Sequence, residues 1–402
     1  MIRVLQVLEA TEGGTLEHLR QLVPGLDPRR FTSAVAVGLS RGPGAAPVLD
    51  GFRAAGVRVE VGPLQRAPHL TRDAAALGWL RGLLRSGDFD LVHTHAAKAG
   101  FLGRLAAHIE GVPAVYAPHG WPFLNPEFPP ALRRAYASLE RLAAGWCQRI
   151  IAVSPGEAQD ALDWRIARPD QLAVAPNGVD VAALRALPAA TRAELDLAPD
   201  ALVVLTIGRR APQKGDRYLL DAWPQVVAGH PRAVLVLVGD GPLEAEVQAQ
   251  AAALGIAASV RFLGRVPQAA RLLGLADIFV LPSIFEGLPY ALLEAMALGR
   301  ACLASNIAGV REVLRAGETG LLAPPAKPAA LAAGLLAVAF VRSITQPLAQ
   351  AVALAARGFA NEHLDAAALL NPNCHGGQHD PRPHSHTDRR TAWVRRRCHR
   401  HA

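Results

Sequence analysis

The sequence predicts an α/β protein made of two Rossmann-like βαβ domains that face each other across a cleft. Short apolar runs alternate with amphipathic stretches, and this alternation restarts at Val203. Of the 402 residues, 51% are hydrophobic and only 5% are aromatic, which favours helices over an all-β sandwich. Charged residues make up only 19%, so the chain can bury a large core and is not globally disordered. The length corresponds to two or three domains.

The first half of the chain contains six predicted strands with helices between them. The strands are residues 4–8, 34–39, 57–61, 91–95, 114–117 and 150–153. The helices are residues 16–23, 74–84, 99–109 and 131–146. Short apolar runs of this kind are typical of parallel strands that helices cover on both faces.

The second half repeats the pattern. Its strands are residues 203–207, 234–238, 260–263, 278–281 and 302–304, and its helices include residues 243–254 and 291–298. The apolar run 329–341 has 13 residues, too few to span a membrane, and is predicted to be a buried helix. The resulting division is an N-terminal domain over 1–175, a C-terminal domain over 176–340 with a linker at 176–187, and closing helices over 341–370.

Residues 371–402 differ from the rest of the chain. They are rich in His, Arg and Pro and include seven arginines and two aspartates. With almost no aliphatic residues to bury, this segment is predicted to be a disordered or aberrant tail, of the kind that a shifted reading frame produces. Most of the formal charge of +8 therefore lies in the tail, and the body carries too little excess positive charge to favour a nucleic-acid partner.

The cysteines and the start of the chain indicate the compartment. None of the four cysteines forms a C-x-x-C pair, which suggests a reducing environment and gives no zinc framework. Residues 1–8 lack a basic region followed by a signal-peptide core and instead read as a strand. We therefore expect a cytoplasmic protein.

The segment 282–294 joins a predicted strand end to a helix through a glycine-bearing loop. The amides of Gly287 and Leu288 then lie at a helix N-terminus, a position that attracts phosphate. Glu286 falls in the loop and Glu294 more than one turn into the helix, so one carboxylate can meet a sugar and the other a ribose. A solvated loop glutamate and an ordinary helix glutamate are the open alternative.

The loop 208–215 directly follows the predicted strand 203–207 and carries fixed cations. Arg209 offers a guanidinium fork and Lys214 a point charge, and together they can clamp a diphosphate. Ligands of parallel sheets bind beyond the carboxyl ends of the strands. This position favours a functional loop over a solvated basic turn.

Together these segments resemble the nucleotide-sugar-dependent glycosyltransferases of family 4, which have the GT-B fold. The resemblance covers about residues 1–340 and rests on the order and spacing of short motifs. These are Gly13-Gly14, Pro118-His119-Gly120, Ala152-Val153-Ser154, Pro176-Asn177-Gly178-Val179-Asp180, Gly208-Arg209 with Gln213-Lys214-Gly215, Gly239-Asp240-Gly241-Pro242, and the Glu286/Glu294 pair. The stretch from Lys98 to Trp121 is similar to members that build exopolysaccharide or capsule.

The resemblance implies a role for each matching side chain. Arg209 and Lys214 would neutralise the leaving diphosphate in place of a metal ion. Glu294 would bind the ribose hydroxyls and Glu286 the donor sugar. His119 would orient the donor near its anomeric carbon. Transfer in this family retains the anomeric configuration, and no enzyme nucleophile is assigned.

The resemblance also implies a donor-binding set supplied by backbone. Gly13 and Gly14 would let backbone amides approach phosphate closely. The other members of the set are Gly208, Gly239, Gly287 and Leu288.

The implied function is a retaining hexosyltransferase that moves a sugar from a nucleoside-diphosphate sugar to a hydroxyl of a sugar or lipid-linked acceptor, with no metal or other cofactor. A nucleotide-sugar epimerase of the same fold and a non-catalytic sugar-nucleotide-binding protein are the alternatives. The basic amphipathic segment 125–146 favours peripheral contact with the inner face of the plasma membrane as much as it favours an ordinary domain helix.

Two motifs resemble metal sites but are given other interpretations. Asp88-Phe89-Asp90 matches the D-x-D of a different glycosyltransferase fold, yet it precedes the strand 91–95, at the wrong strand end for a ligand. His93 and His95 alternate on a strand as zinc ligands do. No further ligand is identifiable from the sequence, so a packed or substrate-facing role is favoured.

Overall fold

The computed structural model describes residues 1–9, 13–38 and 45–341, which form two parallel sheets with helices on their faces. Parallel sheets need helical crossovers, and the alternating pattern of the sequence provides them. Within the described part of the chain, no helix is both long and apolar enough to cross a membrane.

The first sheet has seven strands in the order β3-β2-β1-β4-β5-β6-β7. They are β1 (Ile2–Leu8), β2 (Phe31–Gly38), β3 (Arg58–Gly62), β4 (Leu91–His95), β5 (Ala114–Ala117), β6 (Arg149–Ala152) and β7 (Leu172–Val174). The α-helices of this part are α1 (Gly14–Gly25), α2 (Ala46–Ala54), α3 (Leu70–Arg85), α4 (Ala97–Glu110), α5 (Pro130–Ala144) and α6 (Pro155–Asp163), and the short α7 (Val181–Arg185) follows β7.

The second sheet has six strands in the order β10-β9-β8-β11-β12-β13. They are β8 (Leu202–Ile207), β9 (Ala233–Val238), β10 (Val260–Gly264), β11 (Ile278–Leu281), β12 (Ala301–Ser305) and β13 (Leu321–Ala323). The α-helices are α8 (Asp216–Gly229), α9 (Glu244–Ala253), α10 (Tyr290–Ala297), α11 (Ala308–Arg311) and α12 (Pro328–Val341).

Each sheet reverses its strand order once, between β1 and β4 in the first and between β8 and β11 in the second. At such a reversal the two following connections run to opposite faces of the sheet and leave a crevice at the carboxyl ends of the strands. The loops after these strands are therefore where a ligand site is expected. They contain the motifs singled out from the sequence.

The predicted fold class and all eleven predicted strands are confirmed. The buried helix expected at 329–341 is α12, in which Leu331, Ala332 and Leu335 are fully buried. The sequence prediction missed β7 and β13, which have three residues each, too few to show a pattern.

Some expectations are not decided by the structure. The domain boundary at 175/176 stays a prediction, although the two sheets lie on either side of it. The closing helices beyond residue 341, the tail over 371–402 and the predicted strand end at residue 39 lie outside the described residues.

Candidate functional site

The carboxyl ends of both sheets open into one cleft. Its volume of about 3580 Å³ exceeds that of a pocket for one small ligand, roughly 300–1,000 Å³, so it has room for a donor and an acceptor together. Every residue that the sequence assigned to the donor site lines this cleft: Gly13, Gly14, His119, Gly208, Arg209, Lys214, Gly239, Glu286, Gly287, Leu288 and Glu294.

Lys214 ends a 3₁₀ turn that follows β8 and reaches across to the loop after β11. Its Nζ lies 2.6 Å from Oε1 of Glu286, and the Ser283 hydroxyl donates to the same oxygen at 2.8 Å. The lysine side chain is 23% exposed and the glutamate 9%. A cation that is held by one carboxylate and still reaches solvent can also meet an anion that enters the cleft.

The loops that carry these two residues are joined by further hydrogen bonds. Nε2 of Gln213 donates to the carbonyl of Phe285 at 3.1 Å, and the amide of Ile284 donates to the carbonyl of Gln213 at 2.8 Å. The position of Lys214 is therefore fixed relative to the Glu286 loop before any ligand binds. Such preorganisation is what electrostatic stabilisation of a developing charge requires.

Two neighbouring arginines have opposite environments. Arg209 is half-buried and lines the cleft. Arg210 is 1% exposed, with Nη1 2.5 Å from Oδ1 of Asp216 and Nη2 2.7 Å from the carbonyl of Val238. Arg210 therefore anchors the loop to the core, and Arg209 is the arginine that can contact a ligand in the cleft.

Glu294 lies one turn into α10 and faces α1 across the cleft. The pKa of Glu294 is raised to about 7, because burial and the nearby Glu17 carboxylate together outweigh the opposing effect of Arg20. Near neutral pH this carboxyl exists in both protonation states. Its ionised form can accept hydrogen bonds from two adjacent hydroxyls, as a ribose presents them.

His119 lies in the loop after β5 with a φ of 55°, which is unusual for a residue other than glycine. Its Nε2 is 3.1 Å from Nδ1 of His95, and Nε2 of His95 is 2.9 Å from Oε1 of Gln6. Burial lowers the pKa of both imidazoles well below the ordinary value, and the neighbouring histidines lower it further. The two rings are therefore neutral at physiological pH.

The residue after His119 is held by a buried carboxylate. Glu157 on α6 accepts the amide of Gly120 at 2.5 Å and the amide of Val153 at 2.7 Å. The pKa of Glu157 is raised to about 7, because burial outweighs the lowering effect of these two amides. A Cβ on Gly287 would lie 3.2 Å from Oε1 of Glu157, so this carboxylate also lies where the two halves of the cleft meet.

Two glycines of the predicted donor set, Gly239 and Gly13, have different surroundings. Gly239 has a φ of 119°, and a Cβ there would lie 2.1 Å from the carbonyl oxygen of Gly208, so glycine is required by the packing of two strand-end loops. Gly13 has a φ of 73°, and a Cβ there would meet no atom of the described residues within 4 Å. Within that part of the chain, Gly13 is the one of these two glycines with open space in front of its backbone.

Two family models match the chain. The model described as Glycosyltransferase Family 4 matches residues 12–183, and the model described as Glycosyl transferases group 1 matches residues 201–339. The chain belongs to glycosyltransferase family 4. The first model covers the half of this family 4 chain that holds His119, and the second covers the half that holds Lys214, Glu286 and Glu294.

Curated relatives of this family 4 chain are named as glycosyltransferases. A phosphatidyl-myo-inositol mannosyltransferase of Mycobacterium tuberculosis is 34% identical over 81% of this chain and 84% of its own length. A UDP-Gal:alpha-D-GlcNAc-diphosphoundecaprenol alpha-1,3-galactosyltransferase of Escherichia coli is 33% identical over 60% of this chain. That match spans 64% of the length of the galactosyltransferase.

Solved structures share the two-domain architecture. Sucrose-phosphate synthase from Thermosynechococcus elongatus superposes with a TM-score of 0.74 at 21% identity, over 90% of this chain and 95% of its own. Anabaena HepE in complex with UDP and glucose gives a TM-score of 0.70 at 22% identity, over 92% of this chain and 97% of its own. These likenesses establish the GT-B fold for this family 4 chain.

Sequence reasoning missed several residues that the fold of this family 4 chain places in the wall of the cleft or directly behind it. His18, on the first turns of α1, has Nδ1 3.2 Å from Oδ1 of Asn177 and 3.1 Å from the Tyr290 hydroxyl. Gln6 and Glu157 were also missed. The placement of Gln6 and His95 near the carboxyl end of a strand was an available signal, whereas nothing in the sequence pairs His18 with residues 159 and 272 positions away.

The interpretation of Asp88-Phe89-Asp90 as a structural loop is confirmed. The segment lies before β4, with Phe89 buried and Asp90 paired with Arg3 at 3.1 Å. The cleft lies at the opposite ends of the strands. These carboxylates therefore do not face it.

Proposed function

We propose that this chain is a retaining glycosyltransferase that moves a sugar from a nucleoside-diphosphate sugar to an acceptor hydroxyl without a metal ion. The observation that carries this proposal is the Lys214–Glu286 pair at 2.6 Å, beside Arg209 in the cleft between two sheets. A fixed cation next to a carboxylate provides one group for a diphosphate and one for a sugar. Membership of glycosyltransferase family 4 supports this assignment of the pair.

The proposed roles follow from charge and position. Lys214 and Arg209 stabilise the negative charge that develops on the diphosphate as the glycosidic bond to the donor breaks. Glu294 accepts hydrogen bonds from the ribose hydroxyls, and Glu286 holds the donor sugar. His119 is neutral and orients the donor through a hydrogen bond at Nδ1, because its Nε2 contacts Nδ1 of His95.

Release of nucleoside diphosphate from candidate nucleotide sugars tests this function. We expect release that depends on an added acceptor and that persists in a chelator, because protein cations replace the metal. Release without an acceptor, with conversion of the sugar, favours the epimerase alternative. Binding of a nucleoside diphosphate without any turnover favours the non-catalytic alternative, and loss of activity in chelator that magnesium restores contradicts the metal-free mechanism.

We also propose a lipid-linked acceptor at the cytoplasmic face of a membrane. Two relatives support this class, since one is named for a diphosphoundecaprenol-linked sugar and the other for phosphatidyl-myo-inositol. In this chain, Leu132, Leu139 and Leu142 of α5 are 40%, 47% and 56% exposed. Their spacing of seven and three residues places them on one face of the helix.

The opposite face of α5 is anchored in the core. Glu140 is buried and pairs at 2.7 Å with Arg104 of α4, which is fully buried. This contact fixes the rotation of α5 and turns the three leucines outward. Leu139 also lines the cleft, together with Phe101 and Tyr136, so the apolar face is continuous with the candidate site.

Co-sedimentation with lipid vesicles tests the membrane contact. The full chain should bind vesicles of anionic lipid and not those of neutral lipid, because Arg134 of the same helix is exposed. Arg133 should contribute less, since its Nε donates to the carbonyl of Phe123 at 2.7 Å. Binding should be lost in Leu132→Asp/Leu142→Asp.

The matched control for these variants is Leu254→Asp, an exposed leucine after α9. This variant should sediment as the unaltered chain does. If the unaltered chain binds neither kind of vesicle, or if Leu254→Asp abolishes binding equally, α5 is not a membrane contact.

A further inference from the structure

Four histidines from three segments of the N-terminal half lie together, two of them in the wall of the cleft and two buried behind it. They are His18 of α1, His93 and His95 of β4, and His119 of the loop after β5. His18, His95 and His119 each offer a ring nitrogen such that all three nitrogens lie within 4.8 Å of one another. The ring centroids of His18 and His119 are 4.6 Å apart, and those of His93 and His95 are 4.1 Å apart.

The sequence favoured a packed or substrate-facing role for His93 and His95 because no further ligand could be found. The fold supplies two more imidazoles. In the described part of the chain, Nε2 of His93 is also buried without a hydrogen-bond partner. The cluster therefore contains more ring nitrogens than its hydrogen bonds occupy.

Two of the three rings are oriented as metal-ligating histidines are, through a hydrogen bond at the nitrogen that does not bind the ion. Nε2 of His95 lies 2.9 Å from Oε1 of Gln6, so with that amide oxygen as acceptor Nε2 carries the proton and Nδ1 has a lone pair. Nδ1 of His18 is occupied by Asn177 and Tyr290, which leaves Nε2 for an ion.

The distances suit a small ion. Zn–N bonds of about 2.0–2.1 Å place tetrahedral nitrogens about 3.3–3.4 Å apart. Nδ1 of His95 and Nε2 of His119 are 3.1 Å apart, close to that separation. His18 is half-buried at the cleft wall, and its ring nitrogen lies within 4.8 Å of the other two, so it has to move closer to complete a tetrahedral set. Imidazole ligands select Zn²⁺, Cu²⁺ and Ni²⁺ over Mg²⁺ and Ca²⁺.

We propose that His18, His95 and His119 form a binding site for a divalent transition metal of the Zn²⁺ class, and that the bound ion inhibits the protein. Binding itself is independent of the proposed glycosyl transfer, whereas the inhibition rests on it. An ion between His95 and His119 replaces the hydrogen bond that joins their rings, and it restrains the His119 ring that is proposed to orient the donor. The cations proposed for the diphosphate, Lys214 and Arg209, lie on the other sheet, so this ion is not their substitute.

Titration of the full-length chain with Co²⁺, followed by its visible absorption, tests the site without measuring activity. Co²⁺ held by three imidazoles should give an absorption band that excess Zn²⁺ removes. The band should disappear in His18→Gln, and Gln6→Met should weaken Zn²⁺ binding by about 10–100-fold because a group that orients a ligand is lost.

The control is His230→Gln, which removes a histidine of the C-terminal sheet region and should leave the band intact. The tail histidines His375, His379, His384, His386, His399 and His401 are present in every variant, so they cancel in the comparison. Thermal unfolding by circular dichroism identifies any variant that fails to fold. If His18→Gln and the unaltered chain bind the same number of Co²⁺ ions with the same spectrum, the site does not exist.

The inhibitory role has its own test. Adding Zn²⁺ should reduce the turnover of the unaltered chain and reduce that of His18→Gln much less, when each is compared with its own metal-free rate. Equal inhibition of both proteins overturns the inhibitory role, even where the binding titration finds the site. Absence of turnover in the metal-free chain contradicts the proposed function and leaves the metal site decided by the titration.

Discussion

Replacing Lys214 by alanine should lower the rate of sugar transfer by about 10²–10³-fold. The ammonium group is fixed by Glu286 at 2.6 Å and faces the cleft. Its charge is therefore in place before the diphosphate leaves. In the variant, water molecules would have to reorient to stabilise the same charge. Arg209→Ala should cause a loss of the same order, because it removes the second cation. Initial rates at saturating donor and acceptor measure both effects.

Lys214→Ala also leaves Glu286 without its cation, so a second explanation of the loss has to be tested. If Lys214 serves only to neutralise Glu286, the double variant Lys214→Ala/Glu286→Gln is no slower than Glu286→Gln alone, since no unpaired carboxylate remains. If Lys214 acts on the diphosphate, the double variant is slower than Glu286→Gln alone. We expect the second result.

The matched control is Lys327→Ala, an exposed lysine just before α12. It removes the same charge from the chain outside the cleft and should change the rate by less than a factor of about two, as expected for a screened surface charge. A rate for Lys214→Ala within a factor of about five of the unaltered chain would mean that Lys214 does not stabilise the leaving group.

The sequence predicted the strands and the strand-end loops because both depend on local signals. A buried parallel strand is a short apolar run, and glycines with charged residues mark the loop after it. β7 and β13 carry no such signal, since they are edge strands of three residues. Local patterns therefore gave the two sheets and the loops that hold Lys214 and Glu286, and they missed the short edges.

The environment of each side chain in the site was harder to predict. Arg209 and Arg210 are adjacent and chemically identical, yet only the fold buries the second against Asp216. The histidine cluster depends on three elements meeting at one point, which no spacing along the chain reveals. The same holds for Glu157, whose carboxylate binds an amide 37 residues away. Long-range packing determines these contacts.

Replacing Arg210 by alanine should destabilise the protein by about 3–5 kcal/mol, the usual cost of removing one member of a buried ion pair. Asp216 is 3% exposed and would be left as an unpaired charge, and the carbonyl of Val238 would lose its guanidinium donor at 2.7 Å. Urea unfolding gives the loss. The double variant Arg210→Met/Asp216→Leu should recover most of it, because neither charge is then buried alone.

The loss of stability in Arg210→Ala should also depend on pH, and the protonation of Asp216 determines whether it grows or shrinks as the pH rises. Burial raises the pKa of Asp216 above its ordinary value, and Arg210 opposes this shift. Without the arginine, the folded protein favours the protonated carboxyl even more strongly. The contribution of this carboxyl to the stability of Arg210→Ala is therefore present at acid pH and is lost as the pH rises, so the deficit should grow as the pH rises from the pKa of Asp216 in the unaltered protein to its higher pKa in the variant.

An exposed pair of the same chemistry provides the control for this prediction. Arg53 and Asp50 lie 2.7 Å apart, with side chains 49% and 69% exposed. Arg53→Ala should change stability by less than about 1 kcal/mol at any pH, because solvent screens the charges in both states. If Arg210→Ala is equally mild, or if its deficit shrinks as the pH rises, the buried pair does not hold the loop that carries Arg209 and Lys214. The proposed preorganisation of these two cations would then need another support.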